Sequence, residues 1–354
     1  MIGRPLPLAA PSRTVDVLWA LRSACTRNCD YCFFGTLEMN QAQPVLAPGV
    51  LSHLSRSDVG AEAAIAFART LADSAVRRVF VAGGEPLSWR PSLKVIAELK
   101  SAGVEVVVCT DGTALNNPEI TAALLELGVD GVSVSLDSTD ADYNDLRRPA
   151  RNGRDGWQSV VDGVRALLAA RGPSPTPRVG LYSVITRQNI PDIVNVPTFA
   201  AQLGCDYAVP QPVSLEADHP LFDTLALRPE DAAEVSERYA ALYASGLPVG
   251  IPSRDYPQRV RDAVEHPVGQ VASCFGGSTL FFIEPDGSVW DCPSALRIAA
   301  TSAEQRRSIV GHTAAELFPA PAGPGAACDL FSADCVCMWP LTGFDRFASP
   351  VTAR

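Results

Sequence analysis

The sequence predicts an α/β protein: a partial barrel of six βα units, followed by a small α+β domain built on a β-hairpin. Three observations predict it. Strand-like and helix-like segments alternate through the first two-thirds of the chain, the alternation stops after residue 209, and the cysteines gather at the two ends. Strands separated by helices pair in parallel, so catalytic residues are expected at their carboxyl ends. A doubly wound open sheet fits the same strand count.

Short apolar runs predict the strands, and the run VEVVVCT at 104–110 is the clearest of them. Helical periodicity fills the intervals between these runs. The strands are predicted at 15–21, 76–82, 104–110, 132–136, 179–185 and 207–209. The helices are predicted at 61–71, 92–101, 118–127, 157–170 and 191–203.

Beyond residue 209 the chain becomes irregular and rich in proline. The sequence there predicts a loop at 210–229, a helix near 229–244, an irregular stretch at 252–267, and a hairpin with strands at 280–284 and 288–290. We therefore divide the chain into a core domain at 12–212, a connecting, substrate-proximal region at 213–270, and a second domain at 271–354.

Composition excludes several classes of protein. Of the 354 residues, 47% are apolar and 19% are charged, so the chain can bury a sizeable core. The net charge of −10 argues against a nucleic-acid-binding coat. No apolar run approaches the roughly 18 residues that a membrane span needs, and prolines interrupt the N-terminal apolar stretch that a secretory signal would require. We expect a cytoplasmic protein with no nucleic-acid or membrane partner.

Ten cysteines need a chemical reason. In a reducing compartment they are not expected to form five disulfides, so metal or redox chemistry is the better interpretation. Three lie close together at one end of the chain and five at the other, whereas Cys109 and Cys205 stand alone. This clustering predicts two metal sites.

The first cluster is Cys25-Thr-Arg-Asn-Cys29-Asp-Tyr-Cys32, directly after the first predicted strand. Three thiolates on one short loop can hold three irons of a [4Fe–4S] cube and leave the fourth iron without a protein ligand. Such an open iron can bind a substrate or a cofactor. Structural zinc is the weaker alternative, since it takes four ligands and no fourth Cys or His lies nearby.

This CxxxCxxC loop, with Tyr31 before its last cysteine, resembles the signature of the radical S-adenosylmethionine (SAM) superfamily. The segment Gly83-Gly84-Glu85 after the second strand resembles the family's GGE motif, which meets the methionine amino group of SAM. The alternative for this segment is an ordinary glycine turn.

Two further segments extend the resemblance, which covers roughly residues 15–210. Thr110 begins a Thr-Asp-Gly-Thr loop after the third strand, and Ser135 lies in a Ser-Leu-Asp segment after the fourth, with Arg147 downstream. In the family, the corresponding loop lies near the cofactor, and the serine and arginine contact its ribose and carboxylate. The alternative for Arg147 is a solvated pair with Arg148.

The resemblance implies a specific chemistry. The open iron chelates the amino and carboxylate groups of SAM, and one electron from the reduced cluster releases a 5′-deoxyadenosyl radical. That radical removes a hydrogen atom from an unactivated C–H bond, while the protein positions the substrate and excludes water. A flavodoxin or ferredoxin is expected to supply the electron.

The second cluster begins with Cys274 and Cys292, which flank the predicted hairpin. This stretch resembles the opening of the SPASM and twitch domains, which hold auxiliary iron–sulfur clusters. A full SPASM domain uses seven cysteines for two clusters, whereas five are present here, so the resemblance implies one auxiliary [4Fe–4S] cluster. Its ligands would be Cys274, Cys292 and two of Cys328, Cys335 and Cys337, with Cys335 and Cys337 favoured. Structural zinc on four cysteines is the alternative.

The predicted function is hydrogen-atom abstraction from a natural-product intermediate, a small polar molecule such as a sugar or an aminocyclitol. Oxidation with the auxiliary cluster as electron acceptor is favoured over epimerisation. A ribosomal-peptide maturase that makes a crosslink, an epimer or an oxidised residue is the alternative. Since few residues precede the first strand, no leader-binding domain is expected, which favours the small molecule. A non-catalytic iron–sulfur electron carrier is the alternative from another class.

A thiol that returns a hydrogen atom to the substrate radical would give epimerisation. Cys205, at the start of the sixth strand, is the candidate hydrogen-atom donor, because a thiol at a strand end could face the substrate radical. Packing is the ordinary role of such a cysteine.

Overall fold

The structure, a computed structural model, describes residues 13–33, 58–215, 217–266, 274–294, 301–320, 327–328 and 333–347. Its centre is a sheet whose first six strands are parallel and lie side by side in chain order. They are β1 (Val15–Arg22), β2 (Val76–Gly83), β3 (Glu105–Thr110), β4 (Gly131–Ser135), β5 (Arg178–Ile185) and β6 (Tyr207–Pro212). The α/β prediction and its six strands are confirmed.

Helices connect the successive strands. Pro91 and Pro118 each occupy a first helical turn, where no backbone N–H is needed, and the Asn117 side chain accepts a bond from the N–H of Glu119 at 3.0 Å. The helices are α1 (Ala61–Arg69), α2 (Pro91–Ser101), α3 (Pro118–Glu126), α4 (Ala141–Arg147), α5 (Trp157–Arg171) and α6 (Asp192–Leu203). α4 adds a helix that the sequence did not predict.

The chain beyond β6 extends the same sheet and adds further helices. β7 (Leu280–Ile283) pairs in parallel with β1, while β8 (Ser288–Trp290) and β9 (Arg307–Ser308) continue the sheet in antiparallel register. Gly287, with φ of +86°, makes the β7–β8 turn, so the predicted hairpin is confirmed. The helices are α7 (Phe222–Leu225), α8 (Ala232–Ala244), α9 (Tyr256–Glu265), α10 (Ala314–Leu317) and α11 (Ala333–Thr342).

Two local predictions were wrong. The stretch at 252–267 was expected to be irregular, yet it contains α9, because Pro257 falls in the first turn of the helix and interrupts no hydrogen bond there. β6 continues past residue 209 to Pro212. This strand lies at the edge of the sheet, where a proline costs no ladder bond on the open side.

The sheet has a helix-covered face and an inner face with its own apolar core. Phe80, Tyr207, Phe282 and Phe344 meet on the inner face, so the segment after α11 fills the inside of the partial barrel. Arg78, near the amino end of β2, is 1% exposed and pairs with Glu105 and Asp345. This packing closes the amino end of the barrel and leaves the carboxyl ends of the strands for a ligand. In the described part of the chain, no helix is long and apolar enough to span a bilayer.

Candidate active site at the carboxyl ends of the strands

The three-cysteine loop is fixed by backbone bonds to two other segments. The N–H of Gly84 bonds the carbonyl of Arg22 at 2.7 Å, and that of Glu85 bonds Ala24 at 2.9 Å, which joins the end of β2 to the start of the loop. On the other side, the N–H of Asp30 bonds the carbonyl of Arg147 at 3.0 Å. The loop is therefore held above the sheet between β2 and the end of α4.

A pocket opens beneath this loop, at the carboxyl ends of the strands. All three thiols line it, together with Tyr31 from the same loop. The ends of β2, β3 and β4 contribute Gly83, Gly84, Thr110 and Ser135, while β6 and α11 contribute Gln211, Cys337 and Met338. Most of the residues singled out in the sequence thus meet at one site.

The glycines of the GGE motif are required by a close approach of backbone segments. A Cβ on Gly84 would lie 2.0 Å from the carbonyl oxygen of Ala24, and one on Gly83 would lie 2.5 Å from that of Arg22. Gly83 also has φ of +123°, which side chains with a Cβ rarely adopt. Any larger residue would push the cysteine loop away from the strand ends.

Three of the clustered cysteines accept hydrogen bonds at sulfur from the backbone two residues later. Cys25 accepts from Arg27 at 3.4 Å, Cys274 from Gly276 at 3.3 Å and Cys292 from Ser294 at 3.4 Å. An N–H donor stabilises a thiolate, the form in which cysteine ligates iron. Burial nevertheless raises the pKa of Cys25 to about 12, and a bound metal would favour the thiolate by neutralising its charge.

In the parts of the chain described here, no three His, Cys, Asp or Glu side chains converge on one point as the ligands of a single metal ion do. In an iron–sulfur cube each thiolate binds a different iron, so the ligating sulfurs stay apart. Three thiols on one loop that line one pocket can therefore each bind a different iron of one cube.

Glu85 lies beneath the pocket rather than in its lining. Its carboxylate accepts from the Thr110 hydroxyl at 2.9 Å and from the N–H groups of Asp111 at 2.6 Å and Leu87 at 3.0 Å. Burial, reinforced by the nearby Asp111, raises its pKa to about 8. The described geometry gives Glu85 the role of aligning the ends of β2 and β3, and its contact with the cofactor stays a prediction.

Of the two adjacent arginines, Arg148 lines the pocket, whereas the Arg147 chosen from the sequence is not among its lining residues. Arg147 points away, to Asp30 and Gln188 at 2.9 Å each. Arg148 follows the end of α4, lines the pocket and pairs with Asp137 at 3.1 Å. Asp137 also accepts the Tyr31 hydroxyl at 2.8 Å. In the sequence these two adjacent arginines are equivalent candidates. Their side chains point to different partners because α4 ends at Arg147 and the chain turns at Arg148.

Sequence reasoning also missed Arg27, which lies between the first two cysteines. It is 3% exposed and lines the pocket, and its Nε lies 3.5 Å from Asp111. Its Nε and Nη2 have no hydrogen-bond partner among the described residues. A buried guanidinium with unused donors is suited to an anion, such as an iron–sulfur cluster or a carboxylate.

Within the second group of cysteines, Cys274 and Cys292 lie close together. A Cβ on Gly276 would lie 3.4 Å from the sulfur of Cys274 and 3.1 Å from the Cβ of Cys292, so these two cysteines are neighbours at the base of the hairpin. Cys328, Cys335 and Cys337 are all buried, the last two on α11. Cys292 and Cys337 belong to the same inner apolar core.

Cys205 lies at the opposite end of the barrel from the pocket. It precedes the amino end of β6 and packs in the core between the sheet and its helices, where burial raises its pKa to about 12. Among the described residues it does not line the pocket. Its position favours packing and not hydrogen donation.

Residues 21–199 match the sequence profile of the Radical SAM superfamily, which is about half of the chain. The chain therefore belongs to this superfamily of enzymes, whose members use SAM, a radical-generating [4Fe–4S] cluster, a substrate and a reductant.

Among particular proteins, the chain is similar to a probable GTP 3',8-cyclase of Sulfurisphaera tokodaii, with 32% identity over 52% of this chain and 53% of that one. It is also similar to an AdoMet-dependent heme synthase of Methanosarcina barkeri, with 27% identity over 53% of this chain and 47% of that one. The chain thus spans about half the length of these curated relatives.

Solved structures share its fold over most of its length. Streptococcus suis SuiB bound to S-adenosylmethionine superposes with a TM-score of 0.59 and 14% identity over 95% of this chain and 68% of that one. Native anSMEcpe with bound AdoMet gives a TM-score of 0.57 and 14% identity over 94% of this chain and 98% of that one. These similarities show the fold, a radical SAM barrel followed by a region with antiparallel strands.

Proposed function

We propose that this enzyme abstracts a hydrogen atom from a C–H bond of a small polar natural-product intermediate, such as a sugar or an aminocyclitol. The observation that carries the proposal is the single pocket that joins the three-cysteine loop to the carboxyl ends of the strands. Bound SAM and the reduced cluster supply the 5′-deoxyadenosyl radical there. The chain itself must hold both groups and place the substrate carbon beside them.

The cofactor side of the pocket is formed by β1 to β4 and the loops that follow them. Cys25, Cys29 and Cys32 are the proposed iron ligands. The backbone of Gly83 and Gly84 and the side chains of Tyr31, Thr110, Ser135 and Arg148 line the space next to them. The guanidinium of Arg148, held by Asp137, is suited to the carboxylate of SAM, whereas Arg147 bonds Asp30 and Gln188.

The opposite side of the pocket, formed by β5, β6 and α11, is left for the substrate. Tyr182, Gln211 and Ser214 place an aromatic ring, an amide and a hydroxyl there, beside the apolar Met338 and Leu341. Amide and hydroxyl groups can bond the hydroxyls or amines of a small polar molecule, and the aromatic and aliphatic groups cover its C–H faces.

We further propose one auxiliary [4Fe–4S] cluster in the region at 271–354, with Cys274 and Cys292 as two of its ligands. Both sulfurs accept backbone N–H bonds, as Cys25 does in the first cluster. A low-potential protein of the flavodoxin or ferredoxin class is the proposed reductant. The division of the chain at 212 and 271 belongs to the same proposal.

Two other substrate classes have specific support. The relatives named GTP 3',8-cyclase reach 32% identity with about half of this chain, which makes a nucleotide a candidate. SuiB, which shares the fold, has been solved with its precursor peptide SuiA, which makes a ribosomal peptide another. The cyclase similarity spans about half of this chain, and the 13% identity with SuiB shows the fold alone, so neither relative identifies the substrate.

The test is the rate of 5′-deoxyadenosine formation by the reconstituted enzyme with SAM and dithionite, in the presence of aminocyclitols, sugars, GTP or short peptides. We expect one aminocyclitol or sugar to raise the rate above the substrate-free level, because a bound substrate consumes the adenosyl radical productively. Stimulation by GTP or by a peptide alone would contradict the proposed substrate class. A complete absence of SAM cleavage would favour the non-catalytic electron carrier.

A further inference from the structure

We propose that Cys337 is the thiol that returns a hydrogen atom to the substrate radical, and that it is not a ligand of the auxiliary cluster. The reaction would then leave the oxidation state of the substrate unchanged, as an epimerisation does. This inference rests on the proposed function and replaces the oxidation that the sequence favoured.

The first observation is the direction of a hydrogen bond. The sulfur of Cys337 lies 3.1 Å from the carbonyl oxygen of Pro212 and donates to it. The sulfurs of Cys25, Cys274 and Cys292 instead accept from backbone N–H groups. The contact directs the sulfur of Cys337 toward the end of β6, on the substrate side of the pocket.

The second observation is the geometry of α11. Residues two apart on a helix point about 200° apart, so Cys335 and Cys337 project to opposite sides and cannot both ligate one cluster. Cys337 lines the pocket together with Met338 and with Leu341, which lies one turn further along the helix. Cys335 projects to the side opposite Cys337, which makes Cys328 and Cys335 the proposed partners of Cys274 and Cys292.

The third observation is the place of Cys337 within the pocket. The proposed cofactor residues lie on β1 to β4, whereas Cys337 lies against the end of β6, across the pocket. A substrate between them would lose a hydrogen atom from one face and regain one from the other, which inverts the carbon. The buried Arg27, whose Nη2 has no hydrogen-bond partner among the described residues, independently marks the opposite wall as a ligand site.

Another thiol must be weighed against Cys337. Cys109, on β3, lines the pocket too and packs, like Tyr182, against the inner apolar core. It is the competing donor, and Cys337 is preferred because it lies on α11 against the end of β6, across from the proposed cofactor residues. Cys205 lies in the core at the other end of the barrel.

The proposed step balances as follows. The S–H bond of Cys337 breaks, a C–H bond forms at the substrate carbon, and the sulfur is left as a thiyl radical. A one-electron donor of the flavodoxin or ferredoxin class reduces the thiyl radical, and solvent supplies the proton that regenerates the thiol. One electron cleaves SAM and a second reduces the thiyl radical. Each turnover therefore consumes one SAM, two electrons and one proton.

The test needs no substrate. Reconstituted enzyme with SAM and dithionite in heavy water carries deuterium on its exchangeable thiols. With no substrate in between, the adenosyl carbon radical can take this deuterium, so wild-type 5′-deoxyadenosine should carry one deuterium. We expect the label to disappear in Cys337→Ala and Cys337→Ser, because a serine O–H bond is too strong to donate, and to persist in the control Cys205→Ala. Persistence of the label in both Cys337 variants, or its dependence on Cys109→Ala instead, would overturn the inference.

Iron content provides a second measurement that does not depend on turnover. Cys337→Ala should keep the iron of the wild-type holoenzyme, whereas Cys335→Ala and Cys274→Ala should lose about half of it, one cube of two. Loss of about half the iron from Cys337→Ala would make Cys337 a ligand and refute the proposal. Absence of 5′-deoxyadenosine from the wild type would refute the proposed function itself, a distinct outcome.

Discussion

The hydroxyl of Tyr31, inside the three-cysteine loop, donates to the carboxylate of Asp137 at 2.8 Å. Asp137 is fully buried beyond the end of β4 and also pairs with Arg148 and accepts from the N–H of Val184. One carboxylate thus ties the proposed iron-binding loop to the strand ends and to the pocket arginine. The position of the loop therefore depends on this contact.

Tyr31→Phe removes the bond from the loop to Asp137. We expect a loss of about 1–2 kcal/mol in the free energy of unfolding, together with weaker SAM binding, because the loop loses its anchor. Chemical denaturation and equilibrium dialysis with SAM measure the two effects. Tyr143→Phe, which removes a hydroxyl bonded to Thr186 at 2.7 Å, is the matched control and should lower stability without changing SAM affinity. Equal effects of the two variants on SAM binding would contradict the anchoring role.

Gly84→Ala tests the close approach of β2 to the cysteine loop. The added Cβ would lie 2.0 Å from the carbonyl oxygen of Ala24, so the loop must move and assembly of the cluster should fail. Iron content and the absorbance of the reconstituted protein measure this. Gly60→Ala meets nothing within 4 Å and should bind iron like the wild type. Full iron loading of Gly84→Ala would show that the contact is not required.

Arg148 and Arg147 should differ in their effect on SAM affinity. Arg148→Gln removes the positive charge from the pocket and should weaken SAM binding about tenfold, the scale of one charge-assisted bond. Arg147→Gln removes a charge that points to Asp30 and should change the affinity much less. Equilibrium dialysis of the reconstituted enzyme without reductant distinguishes them. The reverse order of effects would restore the assignment made from the sequence.

Glu85 predicts a pH dependence of stability. Burial raises its pKa from 4.5 to about 8, so between these values the folded protein holds a proton that the unfolded chain releases. The free energy of unfolding should therefore fall as the pH rises through this window. Glu85→Gln cannot ionise, so thermal unfolding of the variant should show a smaller fall over the same range. An unchanged pH dependence would show that Glu85 is ionised in the folded protein.

Much of the fold was predictable because buried strands and helix ends leave local signals. The run at 104–110 and the turn at Gly287 are fixed by nearby residues alone. The length of β6 could not be predicted from nearby residues, because Pro210 and Pro212 are typical of a loop. Prolines are compatible with β6 because this strand lies at the edge of the sheet. α11 was missed because Cys335, Cys337 and Pro340 carry no regular apolar period.

The site was predictable where chemistry requires a local motif, as in the three-cysteine loop and the glycines of β2. It was not predictable where the choice depends on the direction of a side chain. Arg147 and Arg148 are neighbours in the chain, yet they point to different partners. Cys335 and Cys337 belong to the same motif, yet a helix turns them to opposite sides. The backbone geometry, and not the residue type, decides both choices.

The most direct test of the account is SAM cleavage by a variant in which Cys25, Cys29 and Cys32 are all replaced by alanine. The wild-type holoenzyme with dithionite should form 5′-deoxyadenosine. The triple variant should form none while keeping about half of the iron, because the proposed auxiliary ligands are intact. Formation of 5′-deoxyadenosine at the wild-type rate by the triple variant would contradict the assignment of this loop as the site of radical generation.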